Sequence, residues 1–376
     1  MIKKKCPYRL RSAVWEITLA CCFRCAYCGS CGGAARDNEL STEECIDAAN
    51  QLADLGCRRV SMIGGEVFMR PDWETVVRAL TGRGVKVCII TNGFTLTDKI
   101  ITALKSCGIE SVAVSIDGPE PVHDAFRQKG SYKRAVTALQ TLLDNGIPAS
   151  VISALRADNY KTLPEFYETL KSCGIFAWQL QACSPMGNAK KNGLDVKIDA
   201  DQVIKFVESV LPTAPFAVGI ADNIGYFTES EPYLRGRAGA YFDGCSAGLT
   251  SIGIDSVGNV RGCESMYDER FIEGNLRQRS LREIWEDEDS FAYNRKFKPS
   301  MLTGRCAGCE YGDICAGGSH LGILVIEEME LCSSTKAWGE FVAYCCNEER
   351  RHIIASLFIR QIGCYLSCHI SKLIRV

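Results

Sequence analysis

The chain has no excess charge of either sign. Its 43 Lys and Arg face 45 Asp and Glu, a formal net charge of −2 over 376 residues, which gives no reason to expect a nucleic acid or an anionic membrane as partner. An export signal is also missing. The start MIKKKCPYRLRSAVWEITLACCF offers basic residues followed by apolar ones, but Glu16 interrupts the apolar run and no small-residue cleavage site follows. Nor is there an uninterrupted run able to span a bilayer. Near the end Ile354, Phe358, Ile362, Leu366 and Ile370 recur every fourth residue with Arg350, Arg360 and Lys372 off the stripe, the pattern of an amphipathic helix docked on its own protein. Arg360, Gln361 and His369 break it too often to cross a membrane.

Cysteine is what the chain has in excess. It holds 22, although 376 residues that are 47% hydrophobic can bury a large core, and two domains, without disulfide staples. Disulfide-rich domains are short and loop-rich, whereas the first two hundred residues here alternate strand-like and helix-like segments. Thiolates on metal in a reducing, cytoplasmic setting fit the composition better.

The strand-like runs are AVWEITLA, RRVSMIG, KVCIITN, SVAVSID, PASVISAL and AWQLQAC, separated by amphipathic stretches such as STEECIDAANQLADLG and TLPEFYETLKSCG. Six β/α units are implied, and beyond about residue 215 the rhythm stops. The helical stretches close at Gly56, Gly108 and Gly174, where a left-handed cap suits glycine. An α/β fold follows, with a parallel sheet closed or partly closed into a barrel. In such barrels the chemistry sits on loops after the carboxyl ends of the strands.

The loop after the first strand carries Cys21, Cys25 and Cys28, spaced C-x3-C-x2-C. Three thiolates in one short loop suit a cubane with one open iron. A zinc knuckle or a buried turn is the competing reading, but zinc sites more often pair two cysteines with two distant ligands. With Tyr27 just before the last cysteine, the loop resembles that of the radical S-adenosylmethionine (SAM) enzymes, which makes Cys21, Cys25 and Cys28 the ligands of a 4Fe-4S cluster and Cys22 and Cys31 bystanders. The later loops extend the resemblance. Gly64, Gly65 and Glu66 in IGGE match the motif that holds the methionyl amino group, though Val67 and Phe68 replace the family's usual Pro-Leu. TNG, with Asn92, follows the third strand. Ser115 and Asp117 in SIDG match the ribose-contacting position, and Arg127 is a candidate for the SAM carboxylate.

New cysteine spacings follow: Cys245, Gly258-x4-Cys263, then Cys306-x2-Cys309-x5-Cys315, with Cys332 beyond. The hairpin-like GIDSVGNVRG suggests strands that present ligands. This region resembles the SPASM domain, which carries auxiliary iron-sulfur clusters in peptide- and protein-modifying radical SAM enzymes; a zinc ribbon is the alternative for the C-x2-C part. The resemblance implies a partial (β/α)6 TIM-like barrel over 12–215, a small SPASM-like domain over 240–335 and a helical tail over 336–376. Where the pattern wants a further cysteine the chain has Ser319. The resemblance therefore gives a full set to one auxiliary cluster, Cys306, Cys309, Cys315 and Cys332. The other keeps Cys245 and Cys263, its remaining position vacant, open to substrate, or completed by another side chain such as His320.

The implied activity is reductive cleavage of SAM to a 5'-deoxyadenosyl radical that takes hydrogen from a peptide or protein. A small metabolite or tetrapyrrole precursor is the alternative substrate, and a non-catalytic electron carrier would need no GGE or SIDG loop. The cofactors expected are the 4Fe-4S cluster, SAM and one or two auxiliary clusters, with flavodoxin or ferredoxin as electron donor. Because the barrel begins near residue 12, a leader peptide would be recognised by a separate protein or by the cysteine-rich region and tail.

Overall fold

The structure, a computed structural model, describes residues 6–221, 224, 231–235, 242–302, 307–309 and 311–318. Six parallel strands lie in chain order: β1 (Ser12–Glu16), β2 (Arg59–Ile63), β3 (Lys86–Thr91), β4 (Ser111–Ser115), β5 (Ala149–Leu155) and β6 (Ala177–Ala182). These are the six strands expected from the sequence, and the helices between them include α1 (Thr42–Asp54), α2 (Trp73–Thr81), α3 (Asp98–Cys107), α4 (Glu120–Phe126), α5 (Ser131–Asp144) and α6 (Leu163–Leu170). Local signals explain their boundaries. Ser41 and Glu44 form a capping box at the start of α1, and Gly56, Gly108 and Gly174 all take positive φ where helical segments end.

The alternation continues further than the sequence reading has it. After α7 (Gly187–Lys191) and α8 (Ala200–Val210), a strand β7 (Ala217–Ile220) adds parallel to β6. At the opposite end β8 (Ser251–Ile254) pairs parallel with β1, and β9 (Asn259–Arg261) and β10 (Gly274–Asn275) extend the sheet antiparallel, β8 and β9 forming the expected hairpin. The order is β10-β9-β8-β1-β2-β3-β4-β5-β6-β7, one curved sheet whose two ends do not pair among the described residues.

Strand periodicity sorts the two faces. Ala13 and Trp15, Val60 and Met62, Val87 and Ile89, Val112 and Val114 pack with Leu52, Val77, Leu80, Leu104 and Leu142 of the helices in one core. Each Val, Leu, Ile or Met side chain among them contributes about 1.5–3 kcal/mol by leaving water. The alternate residues, among them Val14, Glu16, Ser61, Ser115, Gln179 and Gln181, are smaller or polar and lie on the helix-free face. That inner face, at the carboxyl ends of the strands, is where the cysteine loop begins. The tail over 336–376 lies outside the described residues, and no helix among them is long and apolar enough to cross a membrane.

Candidate functional site

The cysteine loop is tied into a ring by its own backbone. Cys21 N donates to Gly33 O (2.8 Å), Gly33 N to Leu19 O (2.9 Å) and Cys28 N to Cys25 O (3.2 Å). Backbone N–H groups also point at two sulfurs: Phe23 N lies 3.4 Å from Cys21 Sγ and Gly32 N 3.4 Å from Cys28 Sγ. All three cysteines are free thiols. Burial pushes the Cys25 thiol up to about 11, so a bound cation is needed to hold it as thiolate at neutral pH. Among the described residues no three His, Cys, Asp or Glu side chains close on a single metal ion. A cubane bound through one thiolate per iron does not require that. Three free thiols in one closed loop, two of them facing N–H donors, therefore fit an iron-sulfur cluster. Cys22 is hydrogen bonded to Cys21, which raises the Cys21 pKa and lowers that of Cys22. Asn92 Nδ2 lies 3.5 Å from Cys22 Sγ and 4.0 Å from Cys21 Sγ.

The GGE turn packs on the entry to this loop. Gly65 N donates to Thr18 O (2.8 Å) and Glu66 N to Ala20 O (2.7 Å). A Cβ on Gly65 would sit 2.3 Å from Leu19 O, and one on Gly64 2.8 Å from Thr18 O. Only glycine permits that approach, and what it approaches is the loop backbone. The buried Glu66 carboxylate accepts from Thr91 Oγ1 (2.8 Å), Asn92 N (2.8 Å) and Phe68 N (3.4 Å), so it links the ends of β2 and β3. Burial pushes its pKa up.

The SIDG turn joins the loop from the other side. Asp117 accepts from Tyr27 Oη (2.5 Å), from Arg127 Nε (2.7 Å) and Nη2 (3.1 Å), and from Ala154 N (3.1 Å). Burial alone would raise its pKa, but the Arg127 charge overrides this and holds the carboxyl well below its usual range. Arg127 and Asp117 thus engage each other, while Ser115 sits half-buried at the end of β4. Two residues here escaped the sequence reading. Arg156 is wholly buried, its guanidinium 4.6 Å from the Tyr27 ring centre and 4.2 Å from that of Phe126. His123 Nδ1 accepts from Asp117 N at 3.2 Å.

A strap on α7 was equally unforeseen. Asn188 donates from its N to Cys28 O (2.9 Å) and from Nδ2 to Cys25 O (3.0 Å), and Asn192 Nδ2 to Ala26 O (2.8 Å). Gly187 has φ +53°, and a Cβ there would lie 2.2 Å from Gly29 O. The only sequence signal was the glycine and asparagines of PMGNAKKNG after the sixth strand.

In the C-terminal half Cys245 and Cys263 lie near each other, and burial pushes the Cys263 thiol up to about 11. Cys309 precedes a short helical turn, Gly312–Cys315, whose last residue is Cys315. Gly244 packs against it, a Cβ there being 3.3 Å from Ile314 O, which brings Cys245 to the neighbourhood of Cys315. Cys306, Cys332, Ser319 and His320 lie outside the described residues.

A parallel sheet with a three-thiol loop after its first strand, backed by a Gly-Gly-Glu turn, is the arrangement that the resemblance to SAM-dependent iron-sulfur enzymes implies. The radical SAM superfamily model matches residues 15–170 and the SPASM iron-sulfur cluster-binding domain residues 245–310. Mycofactocin maturase MftC of Mycobacterium tuberculosis is 31% identical over 307 residues, 81% of this chain and 76% of its own. AdoMet-dependent heme synthase of Methanosarcina barkeri is 26% identical over 321 residues, 82% of this chain and 90% of its own. SuiB of Streptococcus suis, solved with its precursor peptide SuiA, shares the fold with TM-score 0.69 at 17% identity, over 84% of this chain and 73% of that one. The chain belongs to the radical SAM enzymes that carry a SPASM domain, a family whose members bind a 4Fe-4S cluster, SAM and auxiliary iron-sulfur clusters.

Proposed function

We propose that this enzyme modifies a peptide or protein, in the maturation of a ribosomally made peptide. The observation that carries the radical chemistry is the three-thiol loop clamped between the GGE turn and the SIDG turn. The similarity to mycofactocin maturase MftC along 81% of this chain supports the peptide substrate. When bound, the cluster and SAM supply a 5'-deoxyadenosyl radical that removes a hydrogen atom from the substrate.

Cys21, Cys25 and Cys28 would hold the cluster, with the Phe23 and Gly32 N–H groups steadying two of the thiolates. Glu66 would face the SAM ammonium, kept in place by Thr91 and the Asn92 backbone. Tyr27, Asp117 and Arg127 would fix the loop against β4 and bound the ribose side together with Ser115. Cys306, Cys309, Cys315 and Cys332 would carry one auxiliary cluster, and Cys245 with Cys263 part of another. An external flavodoxin or ferredoxin would supply electrons.

Replacing Glu66 by Gln removes a charge-assisted partner, so SAM affinity should fall roughly ten- to a hundredfold with first-loop iron retained. Unchanged affinity would remove Glu66 from the SAM site. The substrate is tested by co-expressing the enzyme with a candidate precursor peptide and reading its mass. A loss of two hydrogens indicates a crosslink. Turnover of a tetrapyrrole precursor and of no peptide would instead favour the second reading, a tetrapyrrole substrate, for which the similarity to AdoMet-dependent heme synthase speaks.

A further inference from the structure

Among the described residues Glu264 alone has both carboxylate oxygens buried with no hydrogen-bond partner. It is 2% exposed and follows Cys263 in the turn after β9. Its location is fixed by Gly253 of β8, where an added Cβ would lie 2.3 Å from Glu264 N and 2.6 Å from its Cα. The Glu264 backbone thus takes the space a side chain would fill. Gly253 is in register with Val14, between Ala13 and Trp15 whose side chains enter the helix-side core. By strand alternation Gly253 and Val14 face the other way, so Glu264 stands on the inner face of the sheet, beside Glu16.

The charged groups around it are Glu16, Arg261, Asp255 and Arg36. Arg36 is paired with Glu16 and bonded to Ser256, and Arg261 Nη1 is 2.8 Å from Asp255. Two guanidiniums therefore face three carboxyl groups; Arg261 Nε is itself without a partner, yet no hydrogen bond joins it to Glu264, which is the carboxyl left over. The second oxygen of Glu16 is also buried and unpartnered. Buried acceptors of this kind cost free energy unless a donor reaches them. The place adjoins the reaction centre: Tyr267, three residues on, hydrogen bonds Ser30 and neighbours both Glu264 and Cys28. Among the described residues no three ligating side chains converge on one metal ion here.

We propose that Glu264 receives a basic group of the substrate, an ammonium or guanidinium, beside the cysteine loop. The proposal rests on the peptide reading above and narrows it to peptides with a lysine or arginine at or near the reacting residue. A polycarboxylate such as a porphyrin with propionate arms would bring further acceptors and no donor to the unpartnered oxygens of Glu264 and Glu16 and be disfavoured there.

The test uses reconstituted holoenzyme with SAM and an octapeptide library in an Ala/Gly background, with Lys, Arg, norleucine or Glu at one position. Captured peptides are counted by mass spectrometry. Wild type should enrich the Lys and Arg members about tenfold or more over norleucine. Glu264→Gln should remove that preference with SAM binding unchanged. Equal capture by wild type, a preference that survives Glu264→Gln, or loss of SAM binding in that variant would each overturn the assignment. Should the variant fail to fold, the wild-type ratio decides: about tenfold supports the proposal and unity overturns it. Peptides modified without regard to charge would keep the peptide reading and sink the Glu264 assignment. A Glu264-dependent lysine preference with no peptide modified would do the reverse.

Discussion

His123 is buried against the Asp117 turn, and burial together with the Arg127 charge lowers its pKa from 6.5 to about 4. Between those values the unfolded chain takes up a proton that the folded chain refuses. The contribution is full above about pH 6.5 and is lost as pH falls toward 4, by up to about 3 kcal/mol. Asparagine at this position keeps an acceptor for the Asp117 N–H without the titration, so His123→Asn should flatten the acid limb of stability. Urea midpoints at pH 7 and pH 5 check this, and equal pH dependence in both proteins would contradict it. Glu66 makes a second prediction at this scale. Glu66→Ala leaves Thr91 Oγ1 and Asn92 N without their acceptor, which costs about 1–3 kcal/mol of stability apart from any effect on SAM.

The α7 strap is held by backbone geometry that only glycine supplies. At Gly187, alanine meets both a positive φ and the Gly29 carbonyl, so the strap must lift and the Asn188 bonds to Cys25 and Cys28 break. Iron at the first loop should then be lost faster to a chelator than in wild type, while Gly193→Ala, also at positive φ but with open space around it, should leave iron retention near wild type. What the sequence revealed follows the same division. Six strands and the cysteine loop could be read because period-two patterns and C-x3-C-x2-C are local in the chain. β7 escaped because AVGI is four residues long and half exposed. The Tyr27–Asp117–Arg156 knot escaped because its members lie 90 and 39 residues apart, and nothing near Arg156 announces a buried guanidinium. The GGE motif was legible, but its packing on Leu19 and Ala20 was not.

The sheet runs without interruption from the barrel into the SPASM region. β8 covers the edge of β1, and Ile252 and Ile254 enter the same core as Ala13 and Trp15. Arg277 adds an ion pair to Glu44 of α1, which lowers the Glu44 pKa to about 2. A chain cut at residue 240 would expose the β1 edge and part of that core, so it should aggregate or lose first-loop iron although the three cysteines remain. A soluble fragment that holds its cluster as wild type does would show that the two halves are independent. The most direct test of the whole account is SAM cleavage by anaerobically reconstituted protein under a strong reductant. Wild type should form 5'-deoxyadenosine and show a reduced-cluster resonance that changes when SAM is added. Cys21→Ala/Cys25→Ala/Cys28→Ala should do neither; a triple variant that still cleaved SAM would contradict the account.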